Sequence, residues 1–362
     1  MNNILEGYMH YLDYQTYYRI AKSEKQNTPV LLLHGGPGST HNYFELLDPL
    51  SKDRDVISYD QLGCGNSYIS NHPELWKLDT WMNELESLID YLHLDAYHLL
   101  GQSWGGMLAI AYAIEKKPAG LKSLILSSTL PSSKLWESEQ RRMITFLPPA
   151  EQKAIYSALR TSSWNDADYL KATEHYMKLH CADIQPNDPE CLTRKKVSGT
   201  ESYMCAWGPN EYTPIGTLKD FDYTDRLQEI QVPSLIINGT NDLCTPYIAK
   251  TMYDRIPDAQ WELFQNARHM VFAEYTKEYL ELLNTWLKNT EEKFFSIFLF
   301  NHFNIMRIMI QYFISLFCNQ HKIFNTYSCN SRMINTRFNG MNIAGFFFPV
   351  ICQRHITKLM IC

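Results

Sequence analysis

The sequence predicts an α/β protein, with a mostly parallel, doubly wound sheet and an inserted helical cap. Three observations predict it. Short apolar runs alternate with stretches of helical spacing, the pattern of strands buried on both faces by crossover helices. One of these runs leads directly into Gly101-Gln102-Ser103-Trp104-Gly105-Gly106 and then into a small-residue apolar stretch, giving the order strand, serine, helix. The alternation then stops over residues 130–213, where Trp, Tyr, Met and charged residues replace strand-like runs, and it resumes at Pro233.

Residues Tyr8 to Ala21 alternate and are rich in Tyr, which predicts an antiparallel hairpin turning near Asp13. Pro29 to Leu33 is continuously apolar and ends in His34-Gly35-Gly36-Pro37-Gly38. Asp55 to Tyr59 is another short strand, ending in Asp60-Gln61-Leu62-Gly63-Cys64-Gly65. From Leu78 to Leu94, Trp81, Leu85, Leu88, Ile89 and Leu92 recur at helical spacing. Tyr97 to Leu100 is the strand before the serine, Met107 to Ile114 the helix after it, and Leu121 to Leu126 the next buried strand. In the interrupted region, helices are expected around 137–146, 150–160 and 166–180. Pro233 to Asn238 is again a strand, ending in Gly239-Thr240-Asn241-Asp242, and a helix is expected over 246–256. Gln260 to Phe264 is the last strand, Asn266-Ala267-Arg268-His269 lies near its end, and a closing helix is expected over 274–289. The chain thus divides into a first core part over 1–129, the cap over 130–215, a second core part over 216–290 and an atypical tail over 291–362.

The tail holds twelve of the seventeen Phe residues and no Asp. Phe294 to Cys318 is apolar, but Asn301, His302, Asn304, Arg307 and Gln311 interrupt it, and polar groups are costly in lipid. The tail therefore reads as a non-native extension outside the fold, with a membrane-surface or anchoring helix, or an ordered extra element, as the alternatives. With 45% hydrophobic and 20% charged residues, the rest is ordinary for a globular protein. A formal charge of −6 and the lack of a basic run argue against a nucleic-acid partner. The N-terminus shows no basic region followed by an apolar stretch, so no signal peptide is expected. Cys64, Cys181, Cys191, Cys205 and Cys244 lack metal-type spacing, and His180-Cys181 with Cys191 fits no standard ligand set. The expectation is a cytoplasmic protein with reduced thiols, needing no metal or other cofactor; its oligomeric state is not legible.

A serine hydroxyl is a poor nucleophile until a base takes its proton, and the base needs an acid to fix its tautomer. The G-x-S-x-G pentapeptide, between strand and helix, is the context of a nucleophile elbow: glycines permit the tight turn, and the following amide stands at a helix N-terminus. In doubly wound hydrolases the partners follow in the order Ser, Asp, His. Asp242 and His269 each follow a strand, where a parallel sheet presents groups at its carboxyl edge. The ordinary alternatives are a helix N-cap for Asp242, ahead of Thr245-Pro246, and a surface or core histidine for His269. Asp220, Asp222 and Asp225 are rival carboxylates, but follow no clear strand. The candidate triad is Ser103, Asp242 and His269, and the amides of Gly36 and Trp104 are the candidate oxyanion donors.

Together, His34-Gly35-Gly36-Pro37-Gly38, Asp60-Gln61-x-Gly63-x-Gly65-x-Ser67 and Gly101-Gln102-Ser103-Trp104-Gly105-Gly106 resemble the proline iminopeptidase family of α/β-hydrolases. The stretches Trp207-Gly208-Pro209-Asn210-Glu211 and Gly216-x-Leu218-Lys219-Asp220-Phe221-Asp222 are similar to it as well. The resemblance covers about residues 5–290 and leaves the tail out. It implies the α/β-hydrolase fold with a helical cap, and a metal-free serine aminopeptidase that removes an N-terminal residue, often proline, from short peptides. It implies Ser103, Asp242 and His269 as the triad, and Glu211 as a carboxylate gripping the free amine of the substrate. Some members carry a second amine-binding Glu directly after the catalytic Asp, where this chain has Leu243. Glu201 is a candidate for the missing charge, with a solvated helix residue as the alternative, and a prolinase-like preference for dipeptides is a variant of the same reading. The competing function is an esterase without a free-amine requirement, in which Glu211 is structural. A non-catalytic binding protein is disfavoured because every triad position is filled.

Overall fold

The computed structural model describes residues 3–292 and four short strands nearer the C-terminus. Residues Met1–Phe294 form one compact unit and Phe295–Cys362 a second. In the second, Arg332–Ile334 pairs antiparallel with Phe346–Phe348, and Arg337–Phe338 with Met341–Asn342. The apolar stretch Phe294 to Cys318 lies outside the described residues.

The first unit is built on one eight-stranded sheet: β1 (Asn3–Tyr11), β2 (Tyr14–Lys22), β3 (Asn27–Leu33), β4 (Arg54–Tyr59), β5 (Tyr97–Gln102), β6 (Leu121–Ser127), β7 (Ser234–Gly239) and β8 (Ala259–Phe264). Their lateral order is β1-β2-β4-β3-β5-β6-β7-β8. The β1–β2 hairpin and the β2–β4 pair are antiparallel, and every pairing from β4 to β8 is parallel. Successive strand side chains point to opposite faces, so continuous apolar runs feed two cores at once. Leu31, Leu33 and Leu99 belong to one core cluster, whereas Val30, Leu32 and Leu100 belong to the other.

The first cluster also takes α1 (Leu78–Tyr91) through Trp81, Leu85 and Leu88, and the almost wholly apolar α2 (Trp104–Glu115). The second takes the 3-10 run His41–Lys52 through Phe44, Leu47 and Leu50, and the last helix of the unit through Tyr279, Leu283 and Leu287. Between β6 and β7 the chain forms α3 (Ser133–Ile144), α4 (Pro149–Thr161), α5 (Ala167–His180), α6 (Glu190–Thr193) and α7 (Thr200–Ala206). This inserted segment adds Trp136, Ile155, Tyr169, Tyr176 and Trp207 to the first cluster, so it shares the core that packs against α1 and α2. After β7 come α8 (Pro246–Tyr253), the short α9 (Val271–Glu274) and α10, which occupies residues 276–292. α10 therefore runs past the expected end of the closing helix. Among the described residues no helix is long and apolar enough to cross a membrane.

Candidate active site

The turn between β5 and α2 is tight enough to dictate its sequence. A Cβ on Gly101 would lie 2.3 Å from the Gly105 carbonyl oxygen, and one on Gly105 would lie 2.0 Å from that of Leu33. Neither position can carry a side chain. Between them Ser103 takes φ 55° and ψ −123°, a left-handed backbone that costs a non-glycine residue on the order of 1–3 kcal/mol. Its N–H donates to the Ser127 carbonyl at 3.0 Å, and its carbonyl accepts from Thr129 Oγ1 at 2.6 Å. The strain is thus held by bonds to the last residue of β6 and to the loop directly after it.

Asp242 and His269 arrive from the carboxyl ends of β7 and β8. Asp242 is buried and accepts four bonds. Its Oδ1 accepts from His269 Nδ1 at 2.7 Å and from the Cys244 amide at 2.8 Å. Its Oδ2 accepts from Ser128 Oγ at 2.6 Å and from the Gly239 amide at 3.2 Å. The N-cap of α8 is Thr245, whose side chain accepts from the Ile248 amide, so Asp242 does not serve as that cap. With Nδ1 committed to Asp242, the imidazole has Nε2 left as its second nitrogen. The edge of the His269 ring packs against Trp136, with centroids 5.8 Å apart, so the inserted segment helps fix the imidazole plane.

Ser103 and His269 line one cavity of about 210 Å³ together with Gly36, Glu211, Leu243 and Lys196. A larger cavity, of about 970 Å³, shares Lys196 with this one but is not lined by Ser103. Gly36 belongs to the loop after β3, and the Trp104 amide opens α2, where helix N–H groups have no intrahelical acceptor. Among the described residues, no protein acceptor takes either of these two N–H groups. The loop carrying Gly36 is braced from two sides. The Gly35 N–H donates to the Tyr43 hydroxyl at 2.6 Å, which donates in turn to Gln102 Oε1 at 3.0 Å. On the other side, the Gln61 N–H donates to His34 Nε2 at 3.0 Å, and Trp104 Nε1 donates to Gln61 Oε1 at 2.7 Å. Burial lowers the His34 pKa to about 4, so the imidazole stays neutral and accepts that bond.

Glu211 faces the cavity from the inserted segment. Desolvation raises its pKa, while the Tyr203 hydroxyl, donating to Oε1 at 2.8 Å, and the nearby His269 act against that rise. Trp136 Nε1 donates to the Glu211 carbonyl at 2.8 Å and so fixes its backbone. Leu243, which follows Asp242, lines the same cavity as an apolar group.

Glu201 lies apart from the cavity of Ser103 and His269. Its Oε2 accepts from the Asn71 amide at 2.6 Å, and its Oε1 accepts from the His72 amide at 2.9 Å and from Trp76 Nε1 at 2.8 Å. Three donors from 71–76 consume the carboxylate, and Glu201 does not line the cavity of Ser103. It ties α7 to the loop before α1. Sequence reasoning missed Tyr43, Lys196 and Cys181 as cavity residues, since no motif marks them. Gln102, inside the pentapeptide, lines the same cavity.

A strained serine after a central strand, a buried Asp–His pair on the next loops and free amides beside the serine define an α/β-hydrolase. Accordingly, residues 28–275 match the family profile described as the alpha/beta hydrolase fold. The proline iminopeptidase of Lactobacillus acidophilus is 55% identical over 287 residues, spanning 78% of this chain and 98% of that protein. That of Clostridioides difficile is 53% identical, with 78% of this chain and 98% of that protein covered. A crystal structure of proline iminopeptidase from Mycobacterium smegmatis superposes with a TM-score of 0.72 at 28% identity, over 80% of this chain and 99% of that one. The chain belongs to the proline iminopeptidase family of α/β-hydrolases.

Proposed function

We propose that the protein is a serine aminopeptidase that releases an N-terminal residue, preferably proline, from short peptides. Ser103 Oγ attacks the carbonyl carbon of the first peptide bond while His269 Nε2 takes the hydroxyl proton. Asp242 holds the imidazole in the tautomer that leaves Nε2 free, and stabilises its positive charge. The developing oxyanion lies against the amides of Gly36 and Trp104. His269 then delivers its proton to the departing amine, leaving a prolyl ester on Ser103. Water, activated by the same imidazole, hydrolyses that ester and restores the serine. Residues 130–215 act as the cap that limits substrate length, and no metal or other cofactor enters this chemistry.

The observation that carries the peptidase reading is the placement of Glu211 in the same cavity as Ser103 and His269. A substrate ammonium entering that site needs a charged partner, and the names of the relatives at 53–55% identity agree with such a substrate. A hydrogen bond to a charged group contributes about 1.5–3 kcal/mol. Glu211→Gln keeps the shape and removes the charge. The expected result is that kcat/KM for a prolyl anilide falls about 10- to 150-fold relative to that for an uncharged aryl ester. Equal losses on both substrates, or none on the anilide, would make Glu211 structural and favour an esterase.

A further inference from the structure

The cavity of Ser103 carries two opposite charges placed to serve different ends of a ligand. Glu211 lies on the histidine side, where its carboxyl interacts with His269. Lys196 lies on the side of the loop after β3, where its charge acts on His34 and its Nζ stands 5.7 Å from the centroid of the Tyr43 ring. The same Tyr43 hydroxyl accepts from the Gly35 amide, so the ammonium sits beside the loop that carries Gly36.

Lys196 is a partly buried cation: among the described residues, no hydrogen bond or ion pair engages its Nζ, and the Asp60 carboxylate acts on it through its charge alone. Desolvation lowers its pKa, and the Asp60 charge and the cation–π contact with Tyr43 offset only part of that cost. Neighbouring charges are already committed. Arg194 is paired with Glu45 and Glu190, Arg19 with Asp48, and the Asp60 carboxylate with His41 and Asn66. An anion entering this cavity therefore finds one uncommitted ammonium, held beside the amide candidates for the oxyanion.

We propose that Lys196 binds the C-terminal carboxylate of the leaving amino acid, and so favours a dipeptide with a free C-terminus over the same dipeptide with that terminus amidated. The inference rests on the aminopeptidase reading above. A dipeptide is a zwitterion whose ammonium and carboxylate flank the scissile carbonyl, and the cavity offers a carboxylate, a serine and an ammonium in matching roles. One extended residue spans about 3.3–3.6 Å, so the carboxylate of a dipeptide lies one residue past the scissile bond, within the cavity that Ser103 and Lys196 both line. A cavity of about 210 Å³ suits such a molecule better than a long chain. Lys196 is thus a specificity-determining residue, acting on the leaving group and not on the bond that breaks.

The test compares Pro-Ala with Pro-Ala-amide, which differ only in the terminal charge. The wild-type enzyme is expected to favour the free acid by about tenfold or more in kcat/KM, since each decade corresponds to about 1.4 kcal/mol. In Lys196→Met and Lys196→Gln that ratio should collapse to within about twofold. A wild-type ratio near one, or a ratio that persists in both variants, overturns the proposal. So does an equal loss on both substrates with the ratio intact, since this would place Lys196 in oxyanion stabilisation or in packing. Prolyl anilide serves as the control: hydrolysis of the anilide without a carboxylate preference removes this proposal alone, whereas no hydrolysis of anilide or dipeptide removes the aminopeptidase reading with it.

Discussion

At Asp242 four donors converge on one carboxylate, and each constrains what else could stand there. Asparagine would turn an NH₂ toward either the His269 Nδ1 side or the Gly239 amide, setting donor against donor. The imidazole would then settle in the other tautomer, with its proton on Nε2, and could no longer accept the serine proton. Asp242→Asn should lower kcat on prolyl anilide by roughly 10⁴-fold, the loss typical of a triad carboxylate replaced by its amide. Steady-state turnover checks this, and a variant that keeps more than a tenth of wild-type kcat would remove Asp242 from the triad. The sequence marked Ser103, Asp242 and His269 because each follows a strand of a parallel sheet, and local pattern with chain order suffices to place them at the carboxyl ends of β5, β7 and β8. Glu201 and Lys196 lie in the inserted segment, where no strand end fixes direction. The bonds from Asn71, His72 and Trp76 to Glu201 join residues more than a hundred positions apart, which no local pattern encodes.

On the scale of an element, α1 shows a polar residue placed in an apolar stripe. Glu84 shares the face of Trp81, Leu85 and Leu88, and is wholly buried. Thr16 Oγ1 donates to Oε1 at 2.5 Å, and the Leu62 amide donates to Oε1 at 2.9 Å and to Oε2 at 3.1 Å. Through these bonds α1 anchors both β2 and the Asp60–Gly65 turn, which in turn holds His34 and the loop of Gly36. The helical spacing of α1 is legible in the sequence. The partners of Glu84 are not, because they come from elsewhere in the chain. Burial raises the Glu84 pKa from 4.5 to about 8, so the folded protein keeps a proton that the unfolded chain releases. That stabilisation is fully present below pH 4.5 and is lost as pH rises toward about 8. Glu84→Gln cannot titrate and should show a shallower loss of unfolding free energy between pH 5 and pH 8. Urea unfolding of both proteins at pH 5, 6.5 and 8 checks this, and parallel slopes would show that Glu84 does not titrate on unfolding.

For the whole molecule, the strand–helix alternation predicted a parallel sheet covered on both faces, but not its lateral order. Alternation records what covers a strand and says little about which strand lies beside it. Thus the placing of β4 between β2 and β3 came only with the structure. β8 is the far edge of the sheet and partly exposed, which is why Gln260 and Glu262 stand within a strand otherwise expected to be apolar.

The end of the fold shifts for a similar reason. The core was expected to close by residue 290, yet α10 continues through 292, and Glu291 reaches back to β3, β4 and β5 in the middle of the sheet. Its Oε1 accepts from Arg54 Nη1 at 2.8 Å and from the Thr28 amide at 3.2 Å, and lies 3.5 Å from His98 Nε2. Desolvation works against the charge of Glu291, but the bonds with His98 and Arg54 prevail and hold its pKa down at about 2. Arg54 is 1% exposed in its side chain, and without Glu291 it keeps only Asp53 and the Thr28 carbonyl. A chain ended after residue 292 retains all eight strands and the site, and should match the full chain in prolyl anilide turnover. A chain ended after residue 289 loses the Arg54–Glu291 pair, and should unfold about 1.5–3 kcal/mol more readily at pH 7, the worth of bonds to a charged group. The stabilisation from a depressed carboxyl is present above its unfolded value of 4.5 and fades as pH falls toward about 2. The gap between the two shortened chains should therefore narrow when urea unfolding is repeated at pH 3. A gap that is absent at pH 7, or that persists unchanged at pH 3, would mean that Glu291 does not close the fold through its charge.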